Sequence, residues 1–226
     1  MDGYFDESGE YDENRKLKRL TLGGFFAPRS EIERLSVKWR AALDDEGLAE
    51  FHMREIASDE HDYPNWPTER QRRLDRFIDI LCEHAGEFGA FSYAPRNPAR
   101  PFYDAYQQPL NRVLIIAASL SERIKERGIV TFAQTQEIKS ELIGRYFDRL
   151  HWHDELDGYS VLRSRDCPAL QSAEIVARGL KRVMQDGGIT QSFYRIITAR
   201  KPISLWPYEP FQTVSVYPRF LGTAKI

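Results

Sequence analysis

The stretch Gly3-Tyr4-Phe5-Asp6-Glu7-Ser8-Gly9, with the polar run Glu10 to Lys16 and the apolar run Leu20 to Ala27 behind it, decides the fold class. Two apolar runs separated by a charged turn read as a β-hairpin over residues 3–27. Carboxylates at the tip of a strand are anchored at one end and meet solvent at the other, a setting in which oxygen ligands for hard cations are commonly built. The same residues also read as an acidic turn that serves only solubility. Successive side chains on a strand face opposite ways, so Tyr4, Asp6 and Ser8 share one face and Phe5 and Glu7 the other. A single site then takes one of the two acids, and Asp6 is the better candidate ligand.

Working outward, Pro28 to Ser30 closes the hairpin, with Ser30 as N-cap and Glu33 completing a capping box. Ile32, Leu35, Trp39 and Leu43 recur at helical spacing, which predicts a helix over 31–44. Leu48 to Met53 reads as a short edge strand, and Asp59 to Pro67 as a loop. A helix from Thr68 to about Ala85 turns Leu74, Phe77, Ile78 and Leu81 inward, and the alternation from Glu87 to Ala94 suits a strand. Pro109 predicts the first turn of a long helix that Gly128 ends. Ile129 to Phe132 is a short buried strand, 138–152 a helix, Tyr159 to Arg163 a strand, and Cys167 or Pro168 opens a helix to about Gln185. A hairpin followed by alternating strands and helices predicts an α/β domain with a mixed sheet and flanking helices. No linker divides the chain, so one domain is expected.

The formal net charge of −2 gives no global signal for nucleic acid, so any such binding must come from a local patch. The arginines at 70, 72, 73 and 76, and the group Arg178, Lys181 and Arg182, are candidate patches; both also read as solvated helix faces. The two cysteines, Cys82 and Cys167, form no CxxC pair, which fits a reducing compartment and argues against a zinc site. The opening residues lack a signal-peptide pattern, and the apolar stretch Val113 to Leu120 is too short to span a bilayer. A cytoplasmic protein with no membrane partner is expected.

On the helix after Pro168, Leu170, Ala173, Ala177, Leu180 and Met184 form an apolar face, and Gln171, Glu174, Arg178 and Lys181 a polar stripe beside it. A carboxylate bordering the buried face can look at the sheet; alternatively Glu174 and Arg178 are an ordinary solvated i, i+4 pair. His52, between Phe51 and Met53, reads either as a functional imidazole or as a packed, hydrogen-bonded one. His61, His151 and His153 sit among acids, but i and i+2 on a helix do not face one another, so His151 and His153 read as an exposed helix end. There is no GxSxG, no HExxH and no phosphate-cradling glycine loop.

Three motifs, Phe5-Asp6-Glu7-Ser8-Gly9, Glu50-Phe51-His52 and Leu170-Gln171-Ser172-Ala173-Glu174, stand in the order and spacing of the domain-of-unknown-function 3800 family, which the chain resembles over about residues 3–185. The resemblance implies an RNase H-like domain over 1–190, with the first strand in the middle of a mixed sheet, and leaves 191–226 as a C-terminal extension without assigned structure. It also implies a two-metal nuclease site using Mg²⁺ or Mn²⁺, fed by carboxylates of the first strand and the late helix, acting on phosphodiesters of nucleic acid. On that basis Asp6, Glu7 and Glu174 are the candidate catalytic residues, with Asp6 and Glu174 as metal ligands. Ser8, His52, Gln171 and Arg178 are the candidate substrate contacts. Where many members carry an acid after the Ile129–Phe132 strand, this chain has Ala133-Gln134, and the helix acid is Glu174 where members usually have Asp. The alternative expectation is a non-catalytic RNase H-like module, with a degenerate metal site, that binds nucleic acid or protein.

Overall fold

The first hairpin sets the frame. In the computed structural model, which describes residues 1–53, 70–95, 101–134, 140–149, 154–186, 196, 203–206 and 214–216, strand β1 (Asp2–Tyr11) pairs antiparallel with β2 (Leu17–Ala27). Asp12 makes the turn between them: its Oδ1 accepts the N–H groups of Asn14 (2.9 Å) and Lys16 (2.8 Å), and Arg15 takes a left-handed φ of 58°. β3 (Glu87–Tyr93) adds antiparallel to β2, β4 (Ile129–Ala133) parallel to β1, and β5 (Gly158–Leu162) parallel to β4. The central order is therefore β5-β4-β1-β2-β3, with β1 in the middle and only β2 running against the rest. This is an α/β domain, and its strand order is consistent with the RNase H-like expectation.

The central strands are buried on both faces. Tyr4, Phe25 and Phe88 look toward helices α1 (Arg29–Asp45), α2 (Arg70–His84) and α5 (Pro168–Asp186). Phe5, Leu22, Phe26, Phe91 and Phe132 look toward α3 (Pro101–Ile124) and α4 (Ser140–Arg149). The inward residues expected of α1 (Ile32, Leu35, Trp39, Leu43) and α2 (Leu74, Phe77, Ile78, Leu81) are buried. Burial of these alternating and helical-period apolar sets is the main favourable term holding the layers together.

Several local expectations are corrected. α1 starts at Arg29 after Pro28, and no side chain caps it, so Ser30 lies inside the first turn. Pro109 sits within α3, which begins at Pro101. The buried set Ala105, Tyr106, Leu110, Val113 and Leu114 runs across the proline, so packing on the sheet outweighs the missing N–H. That helix closes at Lys125, whose φ is 55°. Gly128 instead lets the chain pass Met1, whose carbonyl oxygen would lie 1.7 Å from a Cβ there. Residues 48–53 form no strand. The tail contributes β6 (Ile203–Trp206), parallel to β3, and β7 (Val214–Val216), so these parts of 191–226 extend the main sheet. The expected loop at Asp59 to Pro67, with His61, and the pair His151 and His153 lie outside the described residues. Among the described residues no helix is long and apolar enough to cross a membrane.

One contact fixes α5 on the sheet. A Cβ on Gly23 would lie 2.4 Å from Ala177 Cα, so helix and strand backbones touch where glycine meets alanine. Gly23→Ala is expected to push the helix outward and cost about 1–3 kcal/mol, the usual range for overpacking. A urea titration checks this; unchanged stability would mean that the contact relaxes without moving the helix.

Candidate functional site

Gly23 pairs with Asp6 in the β1–β2 ladder, so the same close contact that seats Ala177 brings the preceding turn of α5, with Glu174, over the middle of β1. α5 is buried almost all round from Ala169 to Ala177, between the sheet on one side and α1 and α2 on the other. Glu174 is therefore no member of a solvated stripe: it is 9% exposed, and Asp6 is 8% exposed. The two carboxylates are within electrostatic reach of each other. Burial first, and then the charge of Glu174, push Asp6 up to about 7, against the lowering effects of the Glu7 N–H, His52 and Arg178. The Glu7 backbone N–H donates to Asp6 Oδ1 at 2.8 Å. Glu174 Oε2 is buried and accepts no hydrogen bond; His52 Nδ1 stands 3.3 Å from it.

His52 reaches this place from an irregular segment held at Phe51. The Phe51 ring packs with Trp39 and Phe77, with centroids 5.3 and 4.7 Å away. Its backbone N–H donates to Gln171 Oε1 at 3.0 Å, in place of the strand ladder expected for 48–53. His52 itself is 41% exposed, with Nε2 3.9 Å from Glu50 Oε1.

The other expected site residues divide. Ser8 is buried on the Asp6 face, paired in register with Thr21, whose hydroxyl donates to Ser92 Oγ at 3.0 Å. Arg178 lies one turn beyond Glu174, near enough for its charge to lower the Asp6 pKa. Glu7 is separated from the pair by strand alternation: it faces the α3 side, where its charge, after burial, raises the Tyr106 hydroxyl well above its usual range. Gln171 is corrected from a substrate contact to an internal one, because its amide is 2% exposed and fully engaged. The arginines at 72, 73 and 76 are engaged in ion pairs within the chain. All three pair with Glu46, and Arg76 also with Asp45, tying α2 to the end of α1. Lys181 donates to the Gly9 carbonyl at 2.7 Å, pinning α5 to the far end of β1.

Ala133, the position after the Ile129–Phe132 run where the sequence offers no acid, is the last residue of β4. The parallel register pairs Phe5 with Phe132, and both rings lie on the α3 side. The pairing ends there; by strand alternation the following residues, Asp6 and Ala133, both turn to the other face, and Ala133 is 1% exposed.

Among the described residues no three His, Cys, Asp or Glu side chains form a group ready to hold a metal ion. The buried carboxylates of Asp6 and Glu174, with the His52 imidazole 3.3 Å from Glu174, are the donors that could hold a hard cation whose remaining ligands are water, as Mg²⁺ is commonly held. Ala133, at the end of the neighbouring strand β4, offers no further oxygen ligand. No protein-family model matches the chain, and no curated protein matches it significantly in sequence.

Proposed function

We propose that the chain is a divalent-metal-dependent, nuclease-like phosphodiesterase of the domain-of-unknown-function 3800 kind, acting on nucleic acid in the cytoplasm with a single Mg²⁺ or Mn²⁺ held by Asp6 and Glu174. One observation carries this reading: a carboxylate of the central strand and one of the helix packed on it are both buried and feel each other's charge, and Glu174 Oε2 lacks a hydrogen bond. A buried acid whose ionisation is made costlier by a second carboxylate beside it is a poor structural device and a good cation cradle. A bound cation there supplies charge stabilisation at a phosphoryl oxygen and acidifies a coordinated water. His52, in contact with Glu174 on one side and open to solvent on the other, can take or return a proton at Nε2. Arg178, beside the pair, offsets its negative charge as a phosphate approaches.

A second reading has its own observation. With Ala133 on the Asp6 face and the α2 arginines held in internal ion pairs, the fold also suits a non-catalytic module that binds nucleic acid or protein. Thermal melting with and without Mg²⁺ or Mn²⁺, alongside cleavage of single- and double-stranded DNA and RNA, separates the two. A cation about 100-fold above its dissociation constant stabilises the native state by about 2.7 kcal/mol, a rise in melting temperature of roughly 5 °C or more. That rise together with cleavage is the expected result. Nucleic-acid binding without cleavage under either metal would replace the first reading with the second.

A further inference from the structure

We propose that Gln171 is a positioning residue that sets His52 against Glu174. The Gln171 amide is saturated. Its Oε1 accepts the Trp39 indole N–H and the Phe51 backbone N–H, both at 3.0 Å, and its Nε2 reaches the carbonyls of Ser164 (3.3 Å) and Arg165 (3.4 Å). Two acceptor sites and two donor hydrogens are all that such an amide has. It therefore has nothing left for a substrate, and its whole capacity fastens three pieces of chain to one point of α5.

The piece that matters for chemistry is 50–53. It belongs to no helix or strand up to His52, so its backbone direction is not set by a ladder. Phe51 is instead held twice, by its ring in the Trp39–Phe77 cluster and by its N–H on Gln171. With Phe51 held, His52 leaves the core in one direction and presents Nδ1 3.3 Å from Glu174 Oε2. Gln171 and Glu174 lie at i and i+3, on one side of the same helix. One turn of α5 thus carries both the carboxylate and the clamp that brings the imidazole to it. Precise placement of a working group by a buried hydrogen-bonding neighbour is what a preorganised site needs. The functional part of this inference rests on the proposed cation reading; the placement of His52 by Gln171 does not.

The test compares ring ¹H–¹⁵N signals of His52, assigned with His52→Gln, and solvent exchange of the Phe51 amide in the full metal-free chain. Gln171→Met keeps the volume and removes the acceptor. It is expected to move the His52 signals toward those seen in Glu174→Gln and to speed Phe51 exchange by roughly tenfold or more. Gln171→Glu keeps length and acceptor oxygen and is expected to restore the original His52 signals. Trp39→Phe loosens the same cluster but leaves the Phe51 bond, and His52 should stay in place. If Gln171→Met does not fold, Gln171→Asn, which withdraws the oxygen by one methylene, carries the same comparison. The proposal is overturned if His52 does not respond to loss of the acceptor, or responds equally to Trp39→Phe. Melting with Mn²⁺ keeps the two readings apart. Absence of any Mn²⁺ effect on the unsubstituted chain, with His52 still following Gln171, defeats the cation reading alone. A normal Mn²⁺ effect with His52 unmoved defeats the positioning proposal alone.

Discussion

At pH 8 and without divalent cations, Asp6→Asn is expected to be more stable than the unsubstituted chain, by an amount on the order of 4 kcal/mol. The cause is burial, reinforced by the Glu174 charge, which raises Asp6 from 3.8 to about 7. The sign follows from which state holds the proton. Between these values the unfolded chain has released it and the native chain has kept it, so raising the pH favours unfolding. The stability contributed by the protonated acid is fully present below about pH 4 and is lost as the pH climbs through about 7. Asparagine has the same shape, keeps the acceptor for the Glu7 N–H and never ionises. The curves of stability against pH for the two chains should therefore meet near pH 4 and diverge toward pH 8. Urea titrations across that range in EDTA measure the gap. Equal stability at pH 8 would show that the Asp6 carboxylate is better solvated than its burial implies. Adding Mn²⁺ should narrow or reverse the order, because only the unsubstituted chain keeps both ligands.

What the sequence made legible was whatever a local period could carry. The spacing of Ile32, Leu35, Trp39 and Leu43 names the buried side of α1, and the hairpin reads directly from its two apolar runs and acidic turn. Strand alternation alone places Asp6 and Glu7 on opposite faces, and the structure keeps them there. Long-range geometry was not legible. Nothing near Asp6 or Glu174 announces that Gly23 and Ala177 touch, yet that contact is what brings the acids together. The stripe Gln171, Glu174, Arg178 and Lys181 has helical spacing, but spacing cannot tell a solvated stripe from one covered by two further helices. The α2 arginines read as a phosphate patch because their partner, Glu46, is distant in sequence, with its side chain folded in beneath them. Pro109 misled because propensity at a single residue gave way to the packing of a long apolar face, and Gly128 because it serves the close pass of Met1 rather than the helix end.

Ala133→Asp is expected to strengthen Mn²⁺ binding and raise the rate of nucleic-acid cleavage by roughly tenfold or more, whereas Glu174→Gln should lower that rate by about 100-fold or more. Ala133 ends β4 one residue past Phe132, which pairs with Phe5, so strand alternation turns it to the same face as Asp6, the face that α5 covers with Glu174. A carboxylate there would give the cation a third oxygen ligand from a rigid strand. It would also be a third acid in a buried pocket, so the metal-free variant should melt lower than the unsubstituted chain, and more so as the pH rises. Loss of stability without cation, coupled to a larger Mn²⁺-induced rise, is the signature of a ligand added to a real site. A variant that is merely destabilised, with no change in its response to Mn²⁺, would mean that residue 133 does not look at the ion. Glu174→Gln supplies the opposite sign from the same place. It keeps the length of the side chain and its contact with His52 while removing the charge, so a loss of cleavage reports on the cation rather than on packing. If the unsubstituted chain binds nucleic acid without cutting it, and Ala133→Asp alone confers Mn²⁺-dependent cleavage, the pocket is a nuclease site that has lost one ligand and kept its frame.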